Sequence, residues 1–353
     1  MSDRQSFERG VLALGFCALG LVAGPRPAAA LPEATAVTPA LVEAAKKEGK
    51  VVFYTAVDVE AAEKVGASFR QKYPGIEIQV ERSGSERLFQ RIGQEYGSNI
   101  ANADVVNTSD AAHYLLWKRQ GWLAPYVPED VAKHYGENAD PDGLYATWRA
   151  TLSPIAYNTK YVKPEDAPKS FADLLEPKWR GLIVKAHPGY SGTILTATAQ
   201  IARELGWDYL GKLGKQRVMQ VQSSTEPPKK LAIGERPIMA DGNEYNLFTL
   251  KESGSPIEIV YPSEGTPFIA SPSAVMAKAP HPNAARLLQS FLFTAETQQL
   301  LIDAGGLRSL HPATKEPAGR KPLREIKLFK DDPAAVVDKV EEIKANYAKA
   351  FGT

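Results

Sequence analysis

Cysteine is nearly absent from this chain of 353 residues: Cys17 is the single example, and it falls within the first thirty positions. Everything after it must be held by apolar cores alone, without disulfides or cysteine chemistry. Excess charge is missing too. With 42 Lys and Arg against 41 Asp and Glu, no basic stripe offers itself to nucleic acid or to an anionic membrane. Catalytic signatures are likewise lacking: there is no G-x-S-x-G elbow, no H-E-x-x-H and no phosphate-binding P-loop, and the five histidines are scattered without local acid-base partners. These absences favour a protein that is not an enzyme. The remaining catalytic alternative is a hydrolase built on paired carboxylates, which needs no local motif. Internal repeats and low-complexity tracts are absent as well.

What is present begins with an N-terminal pattern. Arg4 and Arg9 precede the apolar run Val11 to Ala23, and Ala28-Ala29-Ala30 follows. A charged start, a short apolar middle and a small-residue end predict a cleaved secretory signal over residues 1–30. The run is too short for a comfortable membrane span. Phe16, bulky and just before Cys17, argues against a lipid anchor. Cleavage would remove three of the basic and two of the acidic residues, leaving a neutral mature chain. The expected destination is the periplasm.

Length points to two domains. Val51 to Thr55, Ile76 to Val80 and Ala103 to Val106 read as strands, separated by helical patterns over Val59–Tyr73 and from about Glu86 to Tyr96. Alternation of this kind predicts parallel βαβ units. Each strand delivers a polar turn: Tyr54-Thr55, then Ser83-Gly84-Ser85, then Thr108-Ser109-Asp110. Parallel units place such turns on one sheet edge; ordinary helix capping accounts for any one of them, and three on one edge favour a ligand surface. Leu152 to Asn158 reads as a strand crossing between lobes, and Ser273 to Ala277 as the return. The expected first lobe is therefore 31–153 with 272–353, and the second is 154–271.

The second half is organised around Pro168 to Val184. A short amphipathic helix carrying Phe171, Leu174 and Leu175 stops at Pro177, and a basic-aromatic turn leads into the strand Leu182-Ile183-Val184. His187-Pro188-Gly189-Tyr190-Ser191-Gly192-Thr193 then opens a long helix. A strand that hands a Gly/Ser turn to a helix start presents unpaired N–H groups, a place suited to an anion. Gly192 allows close backbone approach there.

The motif PKSFADLLEPKWRG at 168–181, the tail His281-Pro282-Asn283-Ala284-Ala285 with Gln298-Gln299-Leu300-Leu301, and the opening Val52-Phe53-Tyr54-Thr55-Ala56 carry a resemblance. Through them the chain resembles the periplasmic solute-binding proteins of ABC importers, in the branch that holds ferric-iron, thiamine and phosphonate binders. The resemblance implies a two-lobe α/β fold of type II, each lobe a mainly parallel sheet flanked by helices. It also implies a monomer that closes on its solute and delivers it to a permease in the inner membrane. In ferric-binding relatives an acid or imidazole after the first strand and two adjacent tyrosines hold the metal. The matching positions here are Asp58, with Glu86 as a second acid, and Asn243-Glu244-Tyr245-Asn246, where only Tyr245 survives of the tyrosine pair. Trivalent iron selects phenolate and carboxylate oxygen, so the loss of one phenol weakens the iron reading. Tyr54, Tyr157 and Tyr190 are the candidate substitutes. The same resemblance assigns Ser191-Gly192-Thr193 to an anion, faced by Ser83-Gly84-Ser85. The expected ligand is thus a small phosphonate-like, phosphate-like or carboxylate anion, with ferric iron as the alternative and no cofactor required.

Overall fold

The computed structural model describes residues 31–353, so the expected signal segment lies outside the described residues. Two sheets and their helices account for the architecture. In the first, β1 (Lys50–Thr55), β2 (Glu77–Arg82) and β3 (Val105–Asn107) run parallel, linked by α2 (Val59–Lys72) and α3 (Ser85–Gly97). Before β1 lies α1 (Pro39–Glu48). Its sequence fixes both ends: Thr38 accepts from the Leu41 N–H, Pro39 opens the first turn, and left-handed Gly49 closes the last. The chain then adds α4 (Ala111–Arg119), β4 (Leu123–Ala124), α5 (Glu129–His134) and β5 (Ala146–Leu152).

Ser153-Pro154 separates β5 from β6 (Ile155–Asn158), which belongs to the second sheet. There β7 (Ile183–Ala186) lies parallel to β8 (Met219–Val221) and β9 (Ile238–Met239), while β6 and β10 (Ile257–Val260) add antiparallel ladders. The intervening helices are α6 (Gly192–Gly214), α7 (Glu226–Ala232) and α8 (Glu244–Glu252). The chain returns through Pro267, whose carbonyl accepts from the Ser153 N–H, so the two crossings lie side by side. Strand β11 (Phe268–Met276) then pairs antiparallel with β3, β4 and β5. The α/β two-sheet fold stands. The parallel character expected of each sheet holds for β1–β2–β3 and β7–β8–β9, and the antiparallel ladders come from strands that must run back between the sheets.

Two expected elements differ. The stretch 171–175 forms a 3₁₀ turn over Ala172–Leu175 rather than an α-helix, because Pro177 forces Glu176 out of the helical region. Phe171, Leu174 and Trp179 still bury against the second sheet's core. The long helix expected after the 187–193 turn, α6, breaks at Gly206 (φ 82°) and then resumes. After α9 (Pro282–Leu292), α10 (Ala295–Gly305) and α11 (Pro333–Val337), the last helix α12 (Val340–Phe351) buries Tyr347. Its Ala350 and Phe351 pack on the second sheet's core, whose cluster includes Tyr209 and Leu213 of α6. Earlier along the same helix, Ile343 and Val340 pack with Ala112, Leu115 and Leu116 of α4, so α12 touches elements of both sheets.

Candidate functional site

Helix starts converge where the two sheets face each other. From the first sheet come Ala56 after β1, Arg82, Gly84 and Ser85 at the start of α3, Ser109 before α4, and Arg149 from β5. Tyr190, Ser191 and Thr193 at the start of α6, Ser223-Ser224-Thr225 before α7, and Asn243 and Tyr245 at α8 come from the second. Gly192 sits at the join. A Cβ there would lie 2.7 Å from Asp110 Cβ and 3.1 Å from Ser85 Cβ, so only glycine lets the α6 start meet the first sheet's turns. The enclosed free volume is about 20 Å³, room for roughly one water. The walls stand closed.

The lining is rich in donors. Ser191 caps α6 by position but its side chain makes no capping bond, and Asn243 at α8 makes none either. The first N–H groups of both helices are thus left to whatever occupies the space. Ser85 Oγ lies 2.7 Å from Ser109 Oγ and accepts from the Ser109 N–H at 3.0 Å. Asn243 Nδ2 donates to the Tyr245 hydroxyl at 3.0 Å, while Asn243 Oδ1 stays buried without a partner. The strongest feature is Arg149. It is 2 % exposed, Nη1 donates to Thr151 Oγ1 at 2.7 Å, and Nε has no partner. Among the described residues no carboxylate pairs with Arg149 or with Arg82. Burial pulls the Arg149 guanidinium below its ordinary range, and the Tyr245 phenol is raised, first by burial, with Arg149 opposing the rise.

A second cavity, about 210 Å³, lies on the far side of Tyr245. Asp58, Glu60, Lys229, Asn246 and Thr249 supply its polar lining. Asp58 also caps α2 through the Glu60 N–H at 3.3 Å. Tyr245 is the only residue common to the two linings.

Of the residues expected from sequence, the structure brings together Gly84, Ser85, Ser109, Tyr190, Ser191, Gly192, Thr193, Asn243 and Tyr245, with Asp58 next door. Others serve the scaffold. Tyr54 is fully buried and donates to Glu95 at 2.8 Å. Thr55 bonds Asn107 Oδ1 and accepts from the Val57 N–H, holding the turn. Ser83 closes the β2 end through the Thr55 carbonyl. Thr108 turns to the Asp110 carbonyl and His113, and Tyr157 packs in the second sheet's core. Glu244 is locked by Arg308 (2.6 and 2.9 Å), Arg320 (2.7 Å) and Tyr261 (2.6 Å). Glu86 faces His113 and Lys344 instead of Asp58 and Tyr245, so the three expected iron ligands do not share one lining.

Sequence reasoning missed Arg149 and Ser223-Ser224-Thr225. A signal existed for each. Arg149 is the one charge inside β5 (Ala146–Leu152), and the hydroxyl triplet follows a strand just as the recognised turns do.

Comparison with known proteins agrees with this fold. Residues 102–329 match the family described as bacterial extracellular solute-binding protein. The probable ABC transporter periplasmic-binding protein y4fP of Sinorhizobium fredii is 24% identical over 216 residues, 58% of this chain and 59% of that one. Among solved structures, the periplasmic binding protein AfuA from Actinobacillus pleuropneumoniae, with fructose-6-phosphate bound, superposes with a TM-score of 0.79 at 24% identity, over 86% of this chain and 99% of the other. Iron-bound HitA from Pseudomonas aeruginosa gives 0.75 at 24% identity, over 85% and 99%. At that identity the likeness establishes the fold. The family match covers well over half of the sequence, and the chain belongs to the bacterial extracellular solute-binding proteins.

Proposed function

We propose that the chain is the periplasmic member of an ABC importer, taking a small oxyanion of phosphate or phosphonate type into the space between its sheets and handing it to an inner-membrane permease. The observation that carries the reading is the buried, unpaired Arg149, set with Arg82 among hydroxyls and free helix N-termini. A buried cation without a counter-ion is strongly unfavourable, and an anionic ligand removes the deficit. Phosphate-type oxygens suit the fork of a guanidinium and the N–H groups of a helix start. A carboxylate satisfies fewer of these donors. The adjoining cavity, with Asp58, Asn246 and Thr249, accommodates a polar organic body attached to such a head group.

Solute enters with the sheets parted, and the α6 start closes behind it. The domains follow from this motion: 31–153 with 272 to about 339 form the first lobe, and 154–271 with α12 the second. A cleaved N-terminal signal fits export. The AfuA structure, holding a sugar phosphate, supports the reading. The iron-bound HitA structure supports ferric iron as the second reading. Against iron stand the two arginines beside Tyr245, which repel a trivalent cation and leave one phenol where relatives use two.

Thermal-shift screening of the mature protein separates them. Phosphate monoesters and alkylphosphonates are expected to raise the melting temperature, and citrate is expected to raise it less. Stabilisation by ferric citrate alone, with a red tyrosinate band, overturns the oxyanion reading.

A further inference from the structure

Behind the oxyanion pocket, Glu86, Asp110 and His113 bring three donor atoms to within 4.8 Å of one another. All three lie on the first sheet's helices α3 and α4 or their starts, and all are buried. His113 Nδ1 stands 3.2 Å from Thr108 Oγ1, whose own hydroxyl donates to the Asp110 carbonyl. Thr108 therefore accepts a proton carried on Nδ1. The neutral ring then turns its Nε2 lone pair toward two carboxylate oxygens, Glu86 Oε1 at 3.2 Å and Asp110 Oδ2 at 3.6 Å. Lone pairs facing one another require a proton or a cation between them.

A proton on Nε2 serves Glu86 but leaves Asp110 Oδ2 stranded. That atom has no hydrogen-bond partner although its residue is 1 % exposed. We infer that Glu86 Oε1, Asp110 Oδ2 and His113 Nε2 form a binding site for a divalent first-row metal ion of the Zn²⁺ class, distinct from the solute pocket. Donors about 2.0–2.1 Å from one tetrahedral ion stand roughly 3.3–3.4 Å apart, and 3.2 and 3.6 Å bracket that separation. One imidazole and two carboxylates are an accepted donor set for such ions.

Each ligand is also held from behind. Lys344 Nζ binds the other Glu86 oxygen at 3.2 Å, the Ala112 N–H binds Asp110 Oδ1 at 2.9 Å, and Thr108 fixes the imidazole. Outer partners of this kind orient a metal's ligands. The cluster Asp130–His134–His311 lacks that order. There His311 Nδ1 accepts from the Ala313 N–H at 3.2 Å, so the proton stays on Nε2 and blocks coordination.

The test is equilibrium dialysis of the chelator-treated mature protein against ZnCl₂, with Co²⁺ as a coloured probe. One zinc per chain is expected, with visible Co²⁺ bands of a tetrahedral site. Asp110→Asn, which keeps the α4 cap, and His113→Gln should each weaken uptake by at least about tenfold. His311→Gln should leave it unchanged. No uptake by the wild type, uptake unaffected by Asp110→Asn, or loss confined to His311→Gln overturns the site. Circular dichroism reports folding, and if His113→Gln fails to fold, Asp110→Asn decides.

Discussion

Residues 244 and 245 are neighbours in sequence, yet they stand in opposite electrostatic worlds. Glu244 is buried against two guanidiniums and a phenol, which hold its carboxyl below the ordinary range although burial pushes upward. Tyr245 faces Arg149, a guanidinium buried as deeply with no acid beside it. The first knot is balanced in charge, although Arg320 Nε has no partner, and it ties α8 to the 307–321 segment. The second is short of one negative charge. A buried charge whose partners are all supplied by the chain is architecture, and one left short of a partner marks where a ligand belongs.

The sharpest way to break this comparison is to remove one charge from each knot. Glu244→Ala strands Arg308 and Arg320 and should cost about 3–5 kcal/mol of folding stability. Urea unfolding reads the loss, and solute affinity per folded molecule should change little. Arg149→Met should do the reverse. Removing an unpaired buried cation leaves solute-free stability unchanged or higher, while affinity for the phosphate-type ligand falls by about 100-fold, the scale of losing a buried charge-assisted contact. Equal stability losses in both variants would refute the distinction.

A third buried charge sharpens it. Asp331 accepts from the Ala270 N–H at 3.2 Å and from Gln200 at 3.2 Å, but no cation among the described residues pairs with it, and burial raises its pKa to about 6. Lying outside the pocket, it resolves its deficit by taking up a proton. For an acid raised in the folded state, the protonated form is the one folding favours. Its contribution is present in full below the ordinary aspartate value near 3.8 and is lost as pH rises through about 6. Relative to Asp331→Asn, the wild type should lose at most about 3 kcal/mol of stability between pH 4 and pH 7. A flat difference across that window would place a hidden cation beside Asp331.

Much of this was legible in sequence, for identifiable reasons. Period-2 and period-3.6 patterns found the strands and helices around the site. Ser85, Ser109, Ser191 and Gly192 were singled out because strand-end turns open onto helix starts, and Asn243 entered through the resemblance. Arg149 was not, because a single charge within a strand reads as solvent-facing until the opposing sheet is placed over it. Tyr54 and Thr55 misled for a matching reason: a polar side chain at a strand end serves its own turn as readily as a ligand. That α12 also reaches the second sheet's core through Ala350 and Phe351 is a tertiary contact that no local pattern encodes.

The smallest expected effect concerns closure. Gly192 has no strained torsion to preserve, so Gly192→Ala should leave solute-free melting nearly unchanged and slightly favour the α6 start as a helix. Its new methyl, however, meets Asp110 Cβ at 2.7 Å and Ser85 Cβ at 3.1 Å across the two sheets, atoms held by a helix cap and a serine pair. The closed arrangement must open by several tenths of an ångström, lengthening the contacts that the α6 N–H groups make to solute. A closed population reduced tenfold reduces apparent affinity tenfold, about 1.4 kcal/mol. Titration calorimetry against a phosphate monoester reads that loss. Wild-type affinity in Gly192→Ala would mean that the solute is gripped without the α6 start, and that the unpaired Arg149 draws its ligand from elsewhere in the cleft.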